Sequence, residues 1–117
     1  VAALGRNPKA LRRLSAATKV TIVMGTGFGV LASHPPWLAA ESTANLVAMM
    51  ERELQGGTIE SDHHGRLVAG FVGAIGLSET PHPHELRVLE AASQVAAKTG
   101  APLLISPAYI AQPLLRK

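Results

Sequence analysis

"RLVAGFVGAIGLSETPHPHEL", residues 66 to 86, is the stretch whose reading decides the fold. An apolar run, Val68 to Ile75, breaks on Gly76 and Ser78. Pro83 then marks the first turn of a helix, with His82 in the cap position and Glu85 at the third helical position. This is the pattern of a buried strand handing over to a helix. In parallel α/β proteins the carboxyl end of such a strand is where chemistry is done. The side chain standing there, just before Ile75 and Gly76, is Ala74, which carries no donor atom.

Working outward, Leu86, Leu89, Ser93 and Ala96 space one face of a helix that ends at Gly100. "APLLISP" is the next apolar run, cut by Pro107. Upstream, Asn7-Pro8 reads as a cap followed by proline at the first helical position, with Leu11 and Leu14 on one face up to Thr18. "VTIVMGTG", residues 20 to 27, is β-branched, apolar and closed by glycines, which predicts a buried strand. Residues 28 to 41, with Pro35-Pro36 and no period, read as a loop. Ser42 caps a helix with Leu46, Met50 and Leu54 down one side, stopped by Gly56-Gly57. Residues 58 to 65, "TIESDHHG", are polar and make another loop. The order is helix, strand, helix, strand, helix, strand. Strands apolar on both faces and joined by helices imply an α/β fold with a parallel sheet and right-handed crossovers. The 117 residues form a single domain or part of one.

Composition narrows the function. Hydrophobic residues make up 47%, enough to fill a core, but aromatics are only 3%, so that core is built from Val, Ile, Leu, Ala and Met. The absence of cysteine excludes disulfides, thiolate metal sites and a cysteine nucleophile, and fits a cytoplasmic location. The net charge of +3 comes from scattered residues, with Arg12, Arg13 and Lys19 gathered on one helix. No basic stripe interleaved with aromatics points to nucleic acid. The longest apolar stretch, Leu67 to Leu77, is far shorter than the roughly 20 residues a membrane helix needs.

Three stretches together resemble the phosphotriesterase family of the amidohydrolase superfamily: "GRNPKALRRLSAATKVTIVMGTGF", "ESTANLVAMMERELQGG" and "GFVGAIGLSETPHPHELRVLEAASQVAAKTGAPLLIS". The resemblance implies a (β/α)8 TIM barrel of which this chain supplies the middle, with its strands three to five. It also implies a binuclear centre, usually zinc, whose bridging hydroxide attacks a phosphotriester, a lactone or a related ester. Two of the family's ligand positions fall here. The bridging lysine or glutamate of the fourth strand aligns with Ala74, and the histidine of the fifth strand aligns with Ser106. Neither alanine nor a neutral serine hydroxyl replaces those ligands at zinc. The expectation for this chain is therefore no catalytic residue, no cofactor of its own and an inactive, truncated relative of a metal-dependent hydrolase.

Other candidates are weaker. His63-His64 precede the central strand and His82 and His84 follow it, so the two pairs belong to opposite ends of the sheet. Gly25-Thr26-Gly27 offers amides to a small anion, though without a phosphate-binding lysine, and a tight strand exit explains it as well. Ser78, Glu79 and His82 crowd together as turn residues do, whereas triads are assembled from separate loops. The loops at the carboxyl ends of the strands hold His34, Trp37, Ser78, Glu79, His82, His84 and Tyr109; a small ligand, if the chain takes one, is expected there, and plain solvated loops are the alternative. Three parallel strands also leave two open edges, which predicts self-association or a partner chain.

Overall fold

Each helix begins where the sequence supplies an acceptor for amides that the first turn leaves unpaired. The Asn7 side chain accepts the Ala10 N–H at 3.1 Å, and helix α1 runs Pro8–Thr18. Ser42 Oγ accepts the Asn45 N–H at 3.1 Å, starting α2, Thr43–Gln55. His82 Nδ1 accepts the His84 N–H at 3.0 Å, and α3 spans Pro83–Thr99. The computed structural model describes residues 7–57 and 68–107. The expected loop 58 to 65, with His63 and His64, and the candidate Tyr109 lie outside them.

Strands β1 (Gly25–Thr26), β2 (Phe71–Leu77) and β3 (Leu103–Pro107) form one parallel sheet in the order β1-β2-β3. The architecture is the α/β arrangement expected. Val72 and Ile75 of β2 are fully buried against Leu46 and Met50 of α2 and Val88, Ala91, Ala92 and Val95 of α3. Phe28 and Leu38, from the β1–α2 connection, close the core at its upper end. Strict alternation would put residues two apart on the core face, yet Val72 and Ile75 are three apart. The irregular register between them absorbs the extra residue, and Ala74 is left half-buried.

Several boundaries differ from the sequence reading. The first strand pairs only over Gly25–Thr26, not 20 to 27, while Val20 and Val23 stay exposed. A strand is fixed by its ladder partners, and among the described residues β1 pairs with β2 alone, over two residues. The central strand runs two residues further than Ile75. It can do so because Gly76 passes within van der Waals contact of the Gly29–Val30 backbone, where an added Cβ would lie 2.4 Å from the Val30 nitrogen. Residues 28 to 41 contain two short 3-10 turns, Leu31–Ser33 and Pro36–Ala40, the second opened by the proline pair. The inward face of α3 is not Leu86, Leu89, Ser93 and Ala96. Glu85, Val88, Ala91, Ala92 and Val95 are buried instead, and Leu86 is 49% exposed. A 3.6-residue period fits both sets, and only a carboxylate with internal partners lets the second one face inward. In α1 the expected apolar face has no bed: Pro8 is its buried residue and Leu14 is 53% exposed.

Candidate functional site

The carboxyl ends of the three strands meet two connections, residues 27–42 and 78–82, and the tip of α3. Glu85 is at the centre and completely buried. One carboxylate oxygen accepts the His82 N–H at 2.9 Å and the Ser78 N–H at 3.1 Å. The other accepts the Ser78 hydroxyl at 2.6 Å and the Leu31 N–H at 2.8 Å. Burial alone would push this acid up. The bonds from the Ser78 hydroxyl and the three backbone amides outweigh it and hold the carboxyl down at about 2. Glu85 is therefore an anion at any neutral pH, with its lone pairs taken up by protein donors. It ties the β1–α2 connection to the β2–α3 connection. The sequence reading identified its helical position but not its burial.

Around this tie sit three histidines. The rings of His82 and His84 meet edge to face at 4.5 Å. Desolvation, followed by the charges of His82, Arg87 and His34, lowers the His84 pKa below 6.5. His34 Nε2 lies 2.9 Å from the Gly29 carbonyl, so that nitrogen carries the hydrogen, and the buried Nδ1 has no partner. Phe28 links His34, at 6.4 Å between centroids, to Trp37, at 5.7 Å. Arg87 donates to the Ala39 and Glu41 carbonyls at 3.0 and 3.3 Å, a second tether from α3 to the same connection. The structure thus gathers His34, Ser78, His82 and His84, with Trp37 one ring away. Glu79 is exposed and takes no part in this network. Ser78 gives its hydroxyl hydrogen to Glu85, and His82 spends Nδ1 on the helix cap, so the two are not paired as nucleophile and base.

The two positions that the resemblance aligns with metal ligands give a different picture. Ala74, expected at the end of its strand, lies in the middle of β2, because the ladder with β3 continues to Leu77, and Ser106, exposed near the end of β3, pairs with Gly76, two residues further on. Together they bring one hydroxyl and no imidazole or carboxylate. Among the described residues no three His, Cys, Asp or Glu side chains are placed to hold one metal ion. This donor set does not fit a binuclear zinc centre.

At β1 the Thr26 hydroxyl is buried and donates to Glu53 Oε1 at 2.6 Å. Gly27, at φ 137°, packs where a Cβ would meet the Ile75 side chain. Both features make Gly25 to Gly27 a close-packed strand exit beside a carboxylate. A groove of about 520 Å³ lies elsewhere, between α1 and the entry residues Ile22 to Met24 and Val68 to Gly70, at the opposite end of the strands.

The comparisons with known proteins agree with this architecture. The model of the Phosphotriesterase family matches residues 1–115. A phosphotriesterase-related protein of Nematostella vectensis is 35% identical over 102 residues, covering 87% of this chain and 28% of the relative. The N-acetyltaurine hydrolase of Homo sapiens is 31% identical over 104 residues, covering 89% and 29%. Among solved structures, the phosphotriesterase homology protein from Escherichia coli, complexed with phosphate in its active site, superposes with a TM-score of 0.80 at 27% identity, over 89% of this chain and 35% of that one. A mutant organophosphorus hydrolase from Deinococcus radiodurans gives 0.77 at 26% identity, over 88% and 32%. The chain thus spans less than a third of the length of these curated relatives, and its sheet corresponds to part of a TIM barrel. With matching sequence along nearly its whole length and the same parallel βα units, this chain belongs to the phosphotriesterase family.

Proposed function

We propose that this segment is a catalytically silent part of a phosphotriesterase-like hydrolase fold. It supplies scaffold and loop architecture, without the metal ligands through which such a fold would hydrolyse a phosphotriester, lactone or related ester. The observation that carries the reading is the chemistry of Ala74 and Ser106 on the neighbouring strands β2 and β3. Alanine offers no donor atom, and an exposed neutral hydroxyl is a poor zinc ligand. The purified chain is expected to retain well under one zinc per molecule after dialysis at neutral pH, measured by elemental analysis. Stoichiometric zinc that disappears when Ala74 or Ser106 is changed to a larger apolar residue would overturn the reading. Ala74→Glu combined with Ser106→His is expected to leave ester hydrolysis at background, because two ligands do not make a binuclear centre.

A second reading, a non-catalytic module that associates through its open sheet, is supported by apolar side chains on and beside the strands. Val23 is 59% exposed, Leu104 53% and Ile105 42%. Among the described residues β3 pairs with β2 alone. Among the described residues no helix is long and apolar enough to cross a membrane. For the small-anion reading at Gly25 to Gly27 the geometry offers no support, since the Thr26 hydroxyl is engaged with Glu53.

A further inference from the structure

Helix N-caps are ordinarily Ser, Thr, Asp or Asn, whose oxygens accept the orphan amides at any physiological pH. Helix α3 uses a histidine, and the acceptor is the unprotonated Nδ1 of His82, 3.0 Å from the His84 nitrogen. A proton on that atom turns the acceptor into a donor and removes the cap. We infer that the His34, His82 and His84 cluster makes an acid-sensitive latch: while the rings are neutral, Glu85 and Arg87 hold the β1–α2 connection (residues 27–42) on the tip of α3, and protonation of the cluster loosens that hold.

Three observations converge on the same junction. First, the cap is conditional on a neutral ring, and the neighbouring imidazole of His84 stands 4.5 Å away, so two imidazolium charges would face each other. Secondly, the buried Nδ1 of His34 has no partner, and a proton added there finds no acceptor unless the ring leaves the Gly29 carbonyl and the edge of Phe28. Thirdly, the connection is held to α3 by few bonds, the Leu31 N–H on Glu85 and the two carbonyls on Arg87. Tilting the first turn of α3 disturbs both anchors.

The charges around the cluster leave the histidines as the responding groups. On α3 itself Glu85 and Arg87 flank it. The β1–α2 connection contributes His34 and Glu41, whose carboxylate accepts from Asn45 at 3.1 Å. The β2–α3 connection contributes the exposed Glu79. Glu85, held at about 2, keeps its charge through the whole range in which histidine titrates. The Arg87 guanidinium opposes a positive charge on His84. The lowered pKa of His84 has the matching sign. Desolvation and the neighbouring charges hold His84 in the latched state below its ordinary value, so falling pH favours release.

Trp37, the sole tryptophan, stacks edge to face on Phe28 within the tethered connection and reports directly on it. The test is Trp37 emission together with far-UV circular dichroism of the full chain, followed from about pH 8 down to about pH 5. The expected result is a red shift of Trp37 emission centred between about pH 6.5 and 5, with helical signal retained. In the double variant His82→Asn, His84→Gln the cap persists without a titrating ring, and the shift is expected to be lost or reduced several-fold. A wild-type profile that is flat while the chain stays folded would overturn the latch. So would an unchanged transition in the double variant, or a transition in which the helical signal collapses with the Trp37 signal.

Discussion

Replacing Glu85 with glutamine keeps the side-chain volume but puts an amide NH2 where two donors already point. Either Leu31 and Ser78 Oγ, or His82 and the Ser78 amide, then lose their acceptor. Leaving buried donors unpaired in this way is strongly destabilising. The depression of the carboxyl from 4.5 to about 2 corresponds to about 3 kcal/mol at neutral pH. Because the folded value is the lower one, that stabilisation is complete above 4.5 and fades as pH falls from there towards about 2. Glu85→Gln is expected to lose about this amount in urea unfolding at pH 7, with the gap to wild type narrowed to less than half at pH 3. An equal gap at both pH values would assign the effect to packing. At this scale the sequence was legible in part. Glu85 at the third helical position and His82 at the cap are readable from Pro83, but nothing local announces that the Glu85 carboxylate reaches Leu31, 54 residues earlier. The Thr26–Glu53 bond was hidden for the same reason.

Among the elements, α2 and α3 are held by their buried faces and α1 is not. Met50 is fully enclosed between α2, α3 and the sheet. Met50→Ala is expected to cost about 2–5 kcal/mol, the range for truncating a buried side chain that leaves a cavity. Leu14→Ala, in the half-exposed α1, is expected to change stability by no more than about 0.5 kcal/mol. Urea midpoints of the two variants check the contrast, and a large loss at Leu14 would mean that α1 is packed more tightly than its exposure indicates. Helix positions were well predicted, since caps and stop signals are local: Asn7, Ser42 and His82 begin the three helices and Gly100 ends the last. Which stripe of α3 faces inward was misread, because the periodicity of apolar residues cannot distinguish a buried glutamate from an exposed one.

For the whole molecule, β3 pairs with β2 alone among the described residues, and Leu104 and Ile105 are exposed on it. Open edges flanked by apolar side chains recruit partners. The chain is expected to show concentration-dependent association in analytical ultracentrifugation, and Leu104→Lys with Ile105→Lys is expected to shift it towards monomer. A wild-type protein that sediments as a compact monomer at every concentration would contradict this.

What the sequence determined alone were the features written in short windows. These are the order of helices and strands, the caps, and the parallel α/β class that follows from doubly apolar strands. The family likeness was also legible there. Tertiary structure decided what depends on residues distant in the chain: how far each strand pairs, since a ladder needs a neighbour, and which face of α3 turns inward. It also brought Leu31, His34, Ser78, His82 and Glu85 to one junction. A buried carboxylate is stable only where several donors converge on it, and that convergence is a property of the fold, not of any one segment.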